Sequence, residues 1–426
     1  MKINLLKLQE YILYLLPIAI VSGPFFSDLI IVVSGLIFLT VVDYKKEKKY
    51  FLNIFSILFF LWCIIILISS TLSNDIFFSL RSSLFYFRFG LFVLSVWYLI
   101  NNVDKFLSHF KYILLLTCSV VITDSLIQFL SGSNIFGYES INNRLSSFFK
   151  DELVVGNFLS RLFPLCIALL IITEKNNKYL IYFIGIFIIS TTIVVFLSGE
   201  RVAFFNQLLA LIIFVFLIFK YRKLKIYISF ILIMIIGAFI FLNSEISKRM
   251  INLTIEQISD ENRNIYLFSE EHEIFYRSSL KMFQNSPLIG NGPNMYRKLC
   301  SDENYFITGK VARGGNPPNS CSTHPHGTFF QIMAEVGLAG STFHILILAF
   351  ILIKFLKKFI WFKNSKEYLS DYEVLLYLSI LINLWPLIPS MNFFNNWISI
   401  IYYLPIGFLL SYLDKKGKIS IYAKIL

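Results

Sequence analysis

Phe51–Leu72 reads FLNIFSILFFLWCIIILISSTL, an apolar run without one charged side chain. A helix of about 17 to 25 residues crosses the hydrocarbon core of a bilayer, where backbone polar groups must be satisfied within the helix itself. Working outward, comparable runs fall near 9–23, 27–42, 84–100, 112–131, 154–173, 179–197, 202–219, 226–242, 326–353, 374–390 and 397–412. The chain reads as an all-α polytopic membrane protein with about 12 transmembrane helices. Its 426 residues are 57% hydrophobic with a mean hydropathy of +0.70, whereas a soluble core stops growing beyond roughly 250 to 300 residues. The first two runs share the break Gly23-Pro24 and form a short hairpin. No small-residue cleavage site follows the first run, so no removable signal peptide is expected.

The net charge of +12 does not indicate a nucleic-acid partner, because its distribution follows the membrane. With the N-terminus in the cytoplasm, one side carries Lys45, Lys46, Lys48 and Lys49, Lys105 and Lys111, Lys175 and Lys178, Lys220 to Lys225, Lys354 to Lys366, and the tail from Lys415. Short loops of the other side hold only Arg81, Arg144, Lys150 and Arg201. This is the positive-inside asymmetry. It predicts cytoplasmic termini and one membrane domain over 1–426, with 243–325 as an extracytoplasmic loop insert.

That insert begins with charged, helix-compatible sequence through Glu256 and Asp260, then an amphipathic run from Glu270 to Gln284 carrying Ile274, Phe275, Ser278, Leu280, Met282 and Phe283. Turn signals follow at Ser286-Pro287, Gly290-Asn291-Gly292-Pro293 and Gly314-Gly315-Asn316-Pro317-Pro318. Two or three short helices over the outer face are expected. Cys63, Cys118 and Cys166 fall inside spans, but Cys300 and Cys321 both fall in the insert. An oxidising compartment permits a Cys300–Cys321 disulfide, and closing a loop of about 20 residues stabilises by roughly 3 kcal/mol.

Charged groups at the outer boundary are few. Arg201 sits in the tight connection Ser198-Gly199-Glu200-Arg201, Arg144 in the loop before the sixth span, and Arg277 on the amphipathic run. A guanidinium donates two parallel hydrogen bonds and stays charged, which suits phosphate; two or three of them can hold a lipid-linked diphosphate. Within the spans, Arg88 and Asp124 are placed to pair, and Arg161 to share a cavity with Arg201. In Thr323-His324-Pro325-His326-Gly327, His326 is the general-base candidate, because an imidazole accepts a proton at neutral pH. His324 raises a metal site, yet no carboxylate or cysteine set of ligand spacing accompanies the pair, and neither metal nor cofactor is expected. Gly337-Leu338-Ala339-Gly340 reads as a small-residue helix face for close packing.

These residues together resemble the O-antigen ligase and polymerase superfamily. His326-Gly327, nine residues, Gly337, two residues and Gly340-Ser341 is similar to its histidine motif of His-Asn, nine residues, Gly-x-x-Gly-Thr or Ser. Arg144-Leu145-Ser146-Ser147-Phe148-Phe149 with Gly156 and Pro164, the turn Ser198-Gly199-Glu200-Arg201, and Met282-Phe283-Gln284-Asn285-Ser286-Pro287-Leu288-Ile289-Gly290-Asn291-Gly292 resemble further elements in the same order. Two departures stand out. His272, with Tyr276 after it, occupies the position of a usual arginine, and Gly327 replaces the usual Asn.

The resemblance implies a GT-C-like, inverting and metal-independent glycosyltransferase of the bacterial inner membrane. Its donor would be an undecaprenyl-diphosphate-linked glycan, and its acceptor a lipid A-core hydroxyl at the periplasmic face. Arg201 with Arg277 or His272 would hold the diphosphate, His326 would take the acceptor proton, and Arg144 and Arg161 would position the donor, with His324 shaping the loop. A polysaccharide polymerase and a protein O-glycosylating relative share these elements; the single late loop ending on the histidine favours the ligase. A transporter without chemistry would show internal repeats and broken helices at the midplane, and no repeat is found.

Overall fold

The computed structural model describes residues 2–173, 179–218, 221–242, 244–258, 267–309, 317–360 and 369–419. Asp260, Gly314, Gly315 and Asn316 of the insert, and Lys175, Lys178, Lys220, Lys363, Lys366 and Lys424 of the basic loops, lie outside these residues. In chain order the helices are α1 (Lys2–Tyr14), α2 (Leu16–Ser22), α3 (Pro24–Val41), α4 (Ile54–Thr71), α5 (Ile76–Ser83), α6 (Phe87–Asn102), α7 (Phe106–Ser131), α8 (Val155–Thr173) and α9 (Leu180–Leu197). There follow α10 (Arg201–Leu217), α11 (Arg222–Leu242), α12 (Ser244–Ser247), α13 (Leu253–Ile258), α14 (Glu270–Asn285), α15 (Tyr296–Leu299), α16 (Thr328–Ile360), α17 (Asp371–Leu384) and α18 (Asn396–Lys415). A π-turn, Lys248–Asn252, joins α12 to α13.

Among the described residues, nine stretches are long and apolar enough to cross a membrane, ten if α1 and α2, bent by 43°, form one path. Each of the twelve expected runs contains helix, but α10, with 17 residues, and α17, with 14, fall short of a span, whereas α6, with 16, is extended by α5 into the single stretch Ile76–Asn102. At 1.5 Å per residue, α17 extends about 21 Å against a hydrocarbon core of about 30 Å. The run read as 374–390 therefore ends early, at Leu384. Pro386 is the cause, since a residue before proline avoids the α region, and Trp385 is extended with ψ 122°. Residues 385–395 turn back without helix.

Local chemistry sets the other ends. Gly23 at φ 129° followed by Pro24 separates α2 from α3. Asn53, Asp75 and Asn395 accept amide hydrogen bonds as N-caps, and Ser370 and Glu373 close a capping box on α17. In lipid, packing and hydrogen bonds rather than water exclusion hold helices together. α8 is buried along nearly its whole length against α9, α10 and α17, and α18 packs along α6. The expected Arg88–Asp124 pair does not form. Arg88 binds Asp28 at 3.0 Å and Asn396 at 2.7 Å, while Asp124, near the end of α7, accepts from Ser147 and the Ile135 amide of the loop folded over it.

α16 is broken at Gly337, with φ 69° and ψ −156°, a region that only glycine occupies readily. The freed carbonyls do not stay bare. Ala334 O accepts from the Asn291 amide and side chain, and Glu335 O from the Gly292 amide and Ser69 hydroxyl. Beyond the break, the amides of Leu338 and Ala339 donate to Pro287 O and Leu288 O. The run 286–292 is thus stitched into the broken helix, and a Cβ on Gly337 would lie 2.6 Å from Gly290 N. The expected reading of Gly337 as a helix-packing residue is corrected: it is the breakpoint that receives the loop.

Candidate active site

The connection Ser198–Glu200 between α9 and α10 is fixed by its carboxylate. Glu200 accepts from the Gly156 amide at 2.6 Å, the Asn157 amide at 3.2 Å and the Asn157 side chain at 2.7 Å, all at the start of α8. A Cβ on Gly156 would lie 2.6 Å from Ser198 Oγ, so glycine permits this approach. Burial pushes the Glu200 carboxyl up to about 7, against those amide contacts.

Three guanidiniums gather over this turn. Arg201, the first residue of α10, donates to Gln257 Oε1 at 2.6 Å and Thr254 Oγ1 at 3.3 Å, both on α13. Arg249 donates from Nε to Gly199 O at 3.0 Å. A Cβ on Gly199 would lie 3.0 Å from Arg249 Nε and 3.4 Å from Arg144 Cγ, so Arg144 and Arg249 flank the same glycine. Arg144 Nε is buried without a hydrogen-bond partner. Among the described residues, no carboxylate lies within ion-pair distance of any of the three. Burial lowers the affinity of Arg144 and Arg249 for their protons.

The histidines stand beside this cluster. His272, in the first turn of α14, meets Ser269 Oγ at 2.6 Å through Nδ1. Its ring centroid is 6.1 Å from that of His326, and it lies in the fields of His326 and Arg201. Burial first, then those two groups, brings its pKa down to about 4. His272 is neutral at pH 7.

His326 has φ 52°, in the left-handed region. Its carbonyl is gripped by Tyr276 OH at 3.2 Å and the Ser390 amide at 2.9 Å. The ring lies between His324 and Phe275, centroids 4.1 and 5.3 Å away. Nε2 is 3.0 Å from Ser322 Oγ, and Nδ1 has no hydrogen-bond partner among the described residues. Burial holds its pKa below the ordinary imidazole value. The geometry therefore offers a neutral, oriented imidazole with one open nitrogen.

His324 differs. Its Nε2 faces Ser390 O at 3.1 Å and its Nδ1 faces Thr323 Oγ1 at 3.0 Å. A carbonyl only accepts, so Nε2 carries the proton and Nδ1 accepts from the hydroxyl. Burial takes its pKa down to about 3. Both nitrogens are engaged, and His324 ties the histidine turn to Ser390.

Two further expectations are corrected. Arg277 points away, its side chain 67% exposed and paired with Glu273 at 2.6 Å one turn back; on an amphipathic helix the residue after buried Tyr276 faces outward. Arg161 does not enter the Arg201 cluster. It is buried between α8 and α17, donating to Asn383 and to Asn157 Oδ1 at 3.3 Å, and reaches the turn only through the Asn157–Glu200 contact. Leu280 of the amphipathic run is likewise exposed. Cys300 and Cys321 are joined as a disulfide with Cα atoms 5.0 Å apart, just before Ser322. Among the described residues, no group of three or more His, Cys, Asp or Glu could hold a metal ion.

Sequence reasoning missed Arg249, Ser322 and Ser390. Ser390 was hidden inside an apparent span, although Pro386 and Pro389 marked the break. Asn392 from the same turn accepts from Gln331 at 2.7 Å, which locks residues 385–395 to the start of α16. For Arg249 the only signal is a cation in a stretch otherwise read for its helix propensity. Residues 185–345 match a family model described as O-antigen ligase. No curated protein matches the chain.

Proposed function

We propose that this chain, which belongs to the O-antigen ligase superfamily, transfers a glycan from an undecaprenyl-diphosphate carrier to a lipid A-core hydroxyl on the extracytoplasmic side of a bacterial inner membrane. The observation that carries the reading is the position of neutral His272, its ring 6.1 Å from that of the base candidate His326 and within the field of Arg201. Arg201 and Arg144 bind the diphosphate, and their charge stabilises the anion that grows as the sugar leaves. His272 adds a neutral hydrogen bond. The acceptor oxygen attacks the anomeric carbon opposite the diphosphate, the bond from that carbon to the diphosphate oxygen breaks, and His326 Nδ1 takes the acceptor proton. Attack from the far face inverts the anomeric centre. Ser322 accepts from Nε2–H and keeps the base tautomer in place.

The test is a glycolipid profile of cells lacking the chain, complemented with wild type, His326→Ala, Arg201→Ala or Arg201→Lys. Complete core without long glycan, restored by wild type alone, is the expected result. Core bearing a single repeat would indicate a polymerase. Normal attachment with His326→Ala ends the base assignment, and full activity with Arg201→Lys ends the bidentate phosphate role, because a point charge lacks the fork.

A further inference from the structure

Arg249 takes no part in that assignment, and nothing in the motif stretches points to it. It stands on the π-turn Lys248–Asn252, between α12 and α13. Such widened turns are rare and concentrate at functional sites. Its Nε–H is spent on Gly199 O at 3.0 Å, which pins the stem of the guanidinium and leaves the terminal nitrogens as a fork. The pinning partner is itself part of the arginine turn, two residues before Arg201. Gly199, at φ +68°, could not carry a side chain there without meeting the Arg249 and Arg144 stems.

A surface cation with no further duty would turn toward water. Arg249 instead sits half-buried, with Arg144 and Arg201 repelling its charge and Glu200, itself held by the Gly156 amide and the Asn157 side chain, attracting it from beyond ion-pair distance. Among the described residues, no carboxylate lies within ion-pair distance of it. Three like charges around one glycine, with one buried donor on Arg144 left over, need several anionic oxygens to be satisfied together. One carboxylate meets a single fork; two linked phosphates present oxygens to all three.

We propose that Arg249 is a phosphate-binding residue of this site, its fork held by Gly199 O so that it closes on the diphosphate together with Arg144 and Arg201. This rests on the donor reading given above. Arg249 is a ligand of the leaving group supplied by the insert, so the π-turn and the α9–α10 connection form the two sides of one anion seat.

The experiment uses the full chain in nanodiscs, with inorganic pyrophosphate and inorganic phosphate as probes of thermal stabilisation, and lipid-linked donor for transfer kinetics. Wild type is expected to be stabilised by pyrophosphate more than by phosphate. Arg249→Gln should weaken pyrophosphate at least fivefold, raise donor KM similarly and lower kcat as well, because the charge that grows on the leaving group loses a ligand. If Arg249→Gln does not fold, Arg249→Lys decides, since one ammonium cannot serve Gly199 O and both phosphates, and the same weakening is expected. Wild-type pyrophosphate affinity and donor KM in the folded variant would overturn the proposal. Arg249-dependent pyrophosphate binding with no glycan transfer would keep the seat and remove the transferase reading.

Discussion

His272 and His326 stand edge to face, ring centroids 6.1 Å apart and planes at 85°, although one opens α14 and the other lies just before α16. Both are neutral at pH 7, and His326 must be neutral to accept a proton. The rate is therefore lost as pH falls through its pKa, which burial holds below 6.5. The acid limb of kcat/KM should lie below that value. A cation in place of His272 opposes protonation of His326, so His272→Arg should move the limb down by about one pH unit. An unmoved limb would show that His326 is not the titrating base.

Gly327 lets the Tyr276 ring close on the histidine turn. A Cβ there would lie 2.8 Å from Tyr276 Cε1 and 3.3 Å from Phe330 Cδ2, and those two rings stack at 4.0 Å. Gly327→Ala should destabilise by about 1 to 3 kcal/mol, the usual range for overpacking. Tyr276→Leu in the same chain should return part of the loss. Additive thermal shifts in the double variant would refute the contact.

Gly337→Ala should be more damaging, because the clash is with the backbone of the stitched loop and the conformation itself excludes side chains. Loss of several kcal/mol is expected, of which about 1 to 3 come from the backbone region alone. Leu338→Ala, at an exposed neighbour, should stay within about 0.5 kcal/mol. Thermal unfolding in nanodiscs compares the two.

Buried neutral histidines make the loop acid-sensitive. The unfolded chain binds protons near the ordinary value of 6.5, whereas His324 resists until about 3. Stability is fully present above pH 6.5 and falls progressively toward pH 3. His324→Gln should flatten that fall by at least about 1 kcal/mol between pH 6.5 and 5. Identical pH–stability slopes in the variant and wild type would contradict this.

The Cys300–Cys321 bridge closes 21 residues of chain. Its removal by Cys300→Ser with Cys321→Ser should cost about 3 kcal/mol, read as lower thermal stability, and should leave the free thiols Cys63, Cys118 and Cys166 unaffected. Thiol labelling of the native protein after denaturation should find three reactive cysteines, not five.

The arginine turn and the histidine motif were legible because each is a local pattern: a charge or an imidazole at the end of an apolar run. Their partners were not. His324 and His326 differ by two residues and share a residue type, yet one is sealed by Ser390 O while the other keeps an open nitrogen. Arg277 and Arg249 are both insert arginines. The one on α14 faces outward with Glu273, and the one on the π-turn lies against Gly199.

By itself the sequence determined a membrane-spanning helical chain and the pair Cys300 and Cys321 spaced to bridge, since hydropathy and spacing act over neighbouring residues. Only the tertiary structure decided that α17 stops short at Leu384 and returns Ser390 to the site, that Gly337 breaks α16 to receive Gly290–Gly292, and that Arg249 rather than Arg277 joins Arg144 and Arg201. Those outcomes depend on which distant backbone groups must be satisfied together in a medium that offers no water, and a linear pattern does not record that pairing.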